Sequence, residues 1–174
     1  MTDKRIIQLA CKFREAIDAA RAEGKFDNIS PFDEFPNNCC GETSYLLARF
    51  LIEYDIETLW ISNDREGWTH AWLVVKDKRV TEPEGFDYPD YMQSTLQRYG
   101  MNNTHIGDNY SYEDVKNGLI IDITGDQFDD YDSPVFVGNM DEFHASFDFR
   151  GATDLSKEGY PYEKRIYSII EKYL

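Results

Sequence analysis

The sequence predicts an α+β fold, and three observations carry that expectation. Two amphipathic helical stretches come first, four runs rich in β-branched or aromatic residues follow, and the regular helix-strand alternation that builds a parallel sheet is missing. At 174 residues, 41% hydrophobic and 15% aromatic, the chain can fill one core, so a single domain over 1–174 is expected.

The first helix is marked by Ile6, Leu9, Ala10, Phe13, Ile17 and Ala20 at steps of three and four, with Gly24 where a left-handed helix end belongs. Cys11 falls just off that stripe. The apolar run before Cys11 is too short for a secretion-signal core, and Lys12, Arg14 and Glu15 follow at once, so it reads as helix. A loop rich in Pro, Asn and Asp, from Asp27 to Asn38, leads to a second helix with the stripe Leu46, Leu47, Phe50, Leu51 and Tyr54, capped by Asn38 or Cys39. Strands are expected over Glu57–Ser62, Thr69–Val75, Gly118–Ile123 and Pro134–Gly138. Between the second and third lies an insertion, 77–117, with a helix after Pro89 ending at Gly100 and a turn opened by Ser111, with Asp114 three residues on. Pro161 followed by Ile166, Ile169, Ile170 and Tyr173 predicts a closing helix.

Charge and cysteine usage exclude several functions. With 33 acidic against 18 basic residues, the net charge of -15 repels nucleic acid and anionic lipid and favours neutral or basic partners. Asp129, Asp130 and Asp132 read as a solvated loop. No run approaches the roughly 18 to 20 apolar residues of a membrane span. Three cysteines without framework spacing point to a reducing compartment, so a cytoplasmic protein is expected. Adjacent cysteines do not easily ligate one tetrahedral ion together, and neither metal nor cofactor is expected.

The chemistry-bearing residues are few. Cys39 and Cys40 stand at a helix start, where unpaired amide hydrogens and the helix dipole favour a thiolate. Cys40 is the preferred nucleophile because Gly41 beside it leaves room for a substrate, and Cys39 is its competitor. His70, in T-H-A-W-L-V-V, is the candidate base, sharing a strand face with Trp72 and Val74 while Ala71, Leu73 and Val75 take the other. Asp122, in L-I-I-D-I-T-G-D-Q-F, is a carboxylate in an apolar strand, so it lies at the sheet's rim or is satisfied by a histidine or backbone amides. Pairing with His70 answers that need and orients the ring. His144, in D-E-F-H-A-S-F-D, looks strand-borne and is the alternative base, although no Asp-bearing strand follows it. His105 reads as a solvated loop residue. Oxyanion donors are the Cys40 backbone amide and the side-chain amide of Asn38 or Asn37, a helix-capping role explaining Asn38 equally well. Trp68 and Trp72 flank His70 as cleft wall, or, for Trp72, as core.

In order, F-P-N-N-C-C-G-E-T-S-Y-L-L-A-R-F-L, H-A-W-L-V-V and L-I-I-D-I-T-G-D-Q-F resemble the papain-like and transglutaminase-like thiol enzymes, which place Cys at a helix start, His on a following strand and Asp or Asn on the next antiparallel strand. The H-A-W and I-D-I-T pieces are most similar to the transglutaminase-like branch and to bacterial proteins near it. The resemblance covers about Phe35 to Phe128 and implies Cys40 as nucleophile, His70 as base and Asp122 as orienting acid. The papain signature C-G-S-C-W is absent, and the gap from His70 to Asp122 exceeds the usual compact hairpin, which the 77–117 insertion explains. The implied activity forms a thioester on Cys40 from a peptide or amide carbonyl, released to water or to an amine. The substrate would be a peptide or protein, a basic one suiting the charge. The rival expectation is a non-catalytic acidic binding module on the same fold.

Overall fold

In the computed structural model, residues 3–83, 110–155 and 164–174 are described. Helix α1 (Asp3–Ala22) turns Ile6, Leu9, Ala10, Phe13, Ile17 and Ala20 inward as one buried stripe. It ends at Gly24, whose φ of +69° is the left-handed conformation that glycine adopts without a Cβ penalty. The loop that follows packs Phe26, Phe32 and Phe35 into the core, Phe32 within a single 3-10 turn, Phe32–Glu34. Helix α2 (Cys40–Ile52) begins at the second of the two cysteines, with Cys39 as its N-cap and no side-chain capping bond. Asn38 precedes the cap at φ +57°.

Five strands form one sheet in the order β4-β3-β2-β1-β5, each neighbouring pair antiparallel: β1 (Thr58–Arg65), β2 (Trp68–Val75), β3 (Ile120–Asp122), β4 (Phe136–Gly138) and β5 (Asp148–Asp154). The β1-β2 hairpin closes through Glu66 and Gly67, at φ +56° and +88°, the paired positive values that match the strands' twist. Short helices α3 (Tyr112–Val115) and α4 (Glu142–Ala145) punctuate the connections, and α5 (Lys164–Ile170) runs into a last 3-10 turn. Ser111 and Asp114 form the expected capping box on α3.

Strand alternation sorts the core into two clusters. Leu73, Val75, Ile121 and Ile123 join α1, α2 and α5 on one side; Leu59, Ile61, Trp72, Val74 and Ile120 meet Val115, Phe143 and Phe147 on the other. His70 and Asp122 share the second side.

The α+β architecture agrees with the sequence expectation, and several details differ. β1 extends to Arg65, β3 is cut to Ile120–Asp122, and β5 is an edge strand that the sequence does not announce. His144 is not strand-borne; it lies in α4, where Asp141 caps the helix by accepting from the His144 amide. The helix expected after Pro89, His105 and the Pro161 start of the closing helix lie outside the described residues. Among the described residues, no helix is long and apolar enough to cross a membrane.

Candidate active site

The site is assembled from three elements that meet where β2 begins. α2 delivers Cys40 from its first turn, β2 delivers His70 from its third residue, and β3 ends on Asp122. His70 and Asp122 are each 1% exposed, and His70 Nε2 lies 2.7 Å from Asp122 Oδ2. The other carboxylate oxygen accepts from the Thr124 amide at 2.9 Å and from its hydroxyl at 3.2 Å. Asp122 is therefore buried and paired, the second of the two situations open to such a carboxylate. Gly125, three residues on, is fixed by crowding: a Cβ there would stand 2.7 Å from the Tyr131 ring and 2.9 Å from Asp122 Oδ2.

Electrostatics follow the geometry. Burial pushes the Asp122 carboxyl up, but the charge and hydrogen bond of His70 and the approach of His144 outweigh it, and the carboxyl ends well below the usual range. For His70, burial disfavours the cation, while the charge and hydrogen bond of Asp122 and the adjacent Cys40 side chain favour it; the net is a rise from 6.5 to about 9. The Cys40 side chain thus lies near enough to the ring to favour its charged form.

The two cysteines separate cleanly. Cys39 is fully buried, its thiol turned back to the Pro36 carbonyl at 3.2 Å, and burial pushes it up to about 12. Cys40 is half-buried and lines a groove of about 890 Å³ with Asn37, Asn38, Thr69, Gln127 and Phe128. The three cysteines are free thiols. Asn38 and Asn37 thus sit beside the thiol on the groove wall. Trp68 stands 69% exposed on the rim, whereas Trp72 is core. Glu66, Asp129 and Asp130 also line the groove, and Arg65 there binds Asp130 at 2.8 and 3.0 Å and lies over the rings of Phe128, Phe143 and Phe147. Asp129, Asp130 and Asp132 are exposed as expected, with Asp130 tied to Arg65.

Three side chains join the site that the sequence does not announce. Gln127 donates from Nε2 to the Thr124 carbonyl at 3.0 Å and contacts His70 Nδ1 at 3.1 Å. Arg14, buried on α1, binds the Ile123 and Pro134 carbonyls and both oxygens of Asp126, pinning the turn that follows Asp122. Asp141 accepts from both the backbone amide and Nδ1 of His144, at 2.9 and 2.6 Å. His144 Nε2 approaches the same carboxylate oxygen as His70, 3.4 Å from Asp122 Oδ2 and without a hydrogen bond, so this histidine is placed against Asp122. The signal for Gln127 was its place five residues after Asp122, meaningful only once the Gly125–Gln127 turn folds the chain back. Among the described residues, no group of three His, Cys, Asp or Glu is arranged to hold a metal.

Comparison with known proteins finds no matching family model, no matching curated protein and no matching solved structure. What defines the site is its own geometry: an α+β chain with a groove-lining cysteine, a buried histidine and a buried aspartate in contact order.

Proposed function

We propose that this protein is a thiol-dependent hydrolase or acyl transferase, of the papain-like or transglutaminase-like kind, acting on a peptide or amide carbonyl. One observation carries the reading: Cys40 opens on the groove at the start of its helix, beside an imidazole whose Nε2 is held at 2.7 Å by a buried carboxylate. His70 takes the Cys40 proton, and the thiolate attacks the carbonyl carbon. The C–N bond then breaks as His70 returns that proton to the leaving amine, leaving a thioester on Cys40. Water, giving up a proton to His70, releases the acid; an amine in its place gives the transfer product. Asp122 keeps the ring oriented throughout. The Cys40 backbone amide and Asn38 are the oxyanion donors in this scheme. The acid-rich rim of Glu66, Asp129 and Asp130 around an exposed Trp68 suits a substrate segment carrying lysine or arginine.

The test is covalent capture. A peptide vinyl sulfone ending in lysine or arginine is expected to label Cys40 alone, and Cys40→Ala to abolish the adduct. Labelling confined to Cys11, or none at pH 6 to 8, defeats the proposal and leaves an acidic binding module as the better account.

A further inference from the structure

His70 is gripped at both ring nitrogens by one short stretch of chain. Asp122 holds Nε2 at 2.7 Å, and Gln127 reaches Nδ1 at 3.1 Å. Between them Thr124 fixes both: its amide and hydroxyl bind Asp122, and its carbonyl binds Gln127. The orientation of the Gln127 amide follows from that second bond. The Thr124 carbonyl oxygen only accepts, so the atom 3.0 Å from it is the NH2 nitrogen, and the same nitrogen faces His70. Nδ1 must then be the acceptor, and the ring proton sits on Nε2, donated to Asp122.

That arrangement uses the lone pair that Cys40 requires. His70 can take a proton from the thiol only at Nδ1, and a protonated Nδ1 cannot accept from Gln127. Two demands meet on one atom: the charges around the ring favour the cation, and the Gln127 bond favours the neutral ring. The groups facing His70 are Asp122 from β3, Cys40 from α2 and Gln127 from the turn after β3, with His144 behind Asp122 and Arg65 over the neighbouring aromatic rings. Of the others, only the Cys40 thiol has a proton to give to Nδ1.

We propose that Gln127 is a catch on the nucleophile, a positioning residue that opposes protonation of His70 at Nδ1 until a carbonyl acceptor in the groove draws its amide away and frees Nδ1 for the Cys40 proton. Gln127 lines the same groove as Cys40, so an occupant with an acceptor oxygen reaches both. The inference rests on the thiol reading above and adds its regulation: the thiolate is favoured when substrate is present.

The test replaces the amide with a group of similar length that cannot donate, Gln127→Met. Two readouts are followed: the His70 ring titration by nitrogen NMR, and the rate of Cys40 alkylation by iodoacetamide across pH 5 to 10. Losing one donated bond is expected to raise the His70 titration by about one pH unit and to speed alkylation at neutral pH by up to about tenfold. A merely structural role would slow alkylation or leave the titration in place, and either result overturns the catch. A second measurement needs no variant. In the wild-type chain, above the His70 titration, the ring proton is expected on Nε2, with a coupling from the Gln127 amide into Nδ1; a proton on Nδ1 overturns the proposal even if Gln127→Met fails to fold. The two readings fail differently. A Cys40 inert in both proteins defeats the thiol reading and the catch with it, whereas a reactive Cys40 indifferent to Gln127 defeats the catch alone.

Discussion

The two faces of the sheet are made from the same strands and have opposite contents. Toward α1 and α2 the strands present Leu73, Val75, Ile121 and Ile123 to an apolar cluster. On the other face His70, Asp122 and His144 sit among Trp72, Phe143 and Phe147. Neighbours in sequence are thus divided between tasks: Ile121 and Asp122 are adjacent, and one fills the core while the other holds a histidine. The lesson is that a period of two lets a strand give every second residue to stability and the rest to chemistry. Damage to one face should therefore cost folding, and damage to the other reactivity.

The largest effect expected from that contrast comes from Asp122→Asn. Oδ1 must keep accepting from the Thr124 amide, so the new NH2 takes the place of Oδ2 against His70. It donates into Nε2, drives the ring proton to Nδ1, and there meets the Gln127 amide, which also donates. The ring is left in the wrong tautomer, and without its counter-charge. Capture of the peptide electrophile by Cys40 is expected to fall by about 10⁴-fold, the scale of a wrong-tautomer defect in a triad. A loss smaller than tenfold in folded protein would mean that Asp122 does not orient His70.

The matching lesion on the other face is Phe13→Ala. Phe13 is fully buried and packs on Phe50 with ring centroids 5.2 Å apart. Removing it should cost about 3 to 5 kcal/mol by urea unfolding. Per folded molecule, Cys40 should capture the probe at the wild-type rate. A tenfold loss of reactivity would show that the faces are coupled and that the division of labour is wrong.

How far the sequence could be read depended on the range of the signal. α1 was legible because its stripe and its Gly24 stop are local, and β2 because T-H-A-W-L-V-V is a local run rich in β-branched and aromatic residues. β5 was not: D-F-R-G-A-T-D is a polar edge strand whose pairing with β1 supplies the order that its side chains do not. The H-A-S-F around His144 looked like strand, and a four-residue helix with an aspartate cap overrode it. In the site, Cys40, His70 and Asp122 could be ordered from motif pieces, since each needs a distinct local setting. Gln127 and Arg14 could not, because a glutamine after a turn and an arginine on a helix have no local mark. Their meaning comes from contacts 57 and 112 positions away in the chain.

The smallest expected effect concerns pH, and it separates the faces by the shape of a curve rather than by its height. His70 is raised from 6.5 to about 9 on folding, so its contribution is fully present below about pH 6.5 and is lost as pH rises through about 9. Asp122 is lowered from 3.8, so its contribution is present above that value and is lost as pH falls further. The pair therefore stabilises most between 3.8 and 6.5. With a net charge of -15, many other carboxylates also titrate, and their background cancels when unfolding free energies of wild type and Asp122→Asn are subtracted at each pH. That difference should peak at pH 4 to 6.5 and shrink toward pH 9. The corresponding difference for Phe13→Ala should stay flat, since the lost ring packs in an apolar cluster. A wild-type minus Asp122→Asn difference that grows between pH 6.5 and 9 would reverse the sign of the linkage and show that Asp122 does not stabilise the His70 cation.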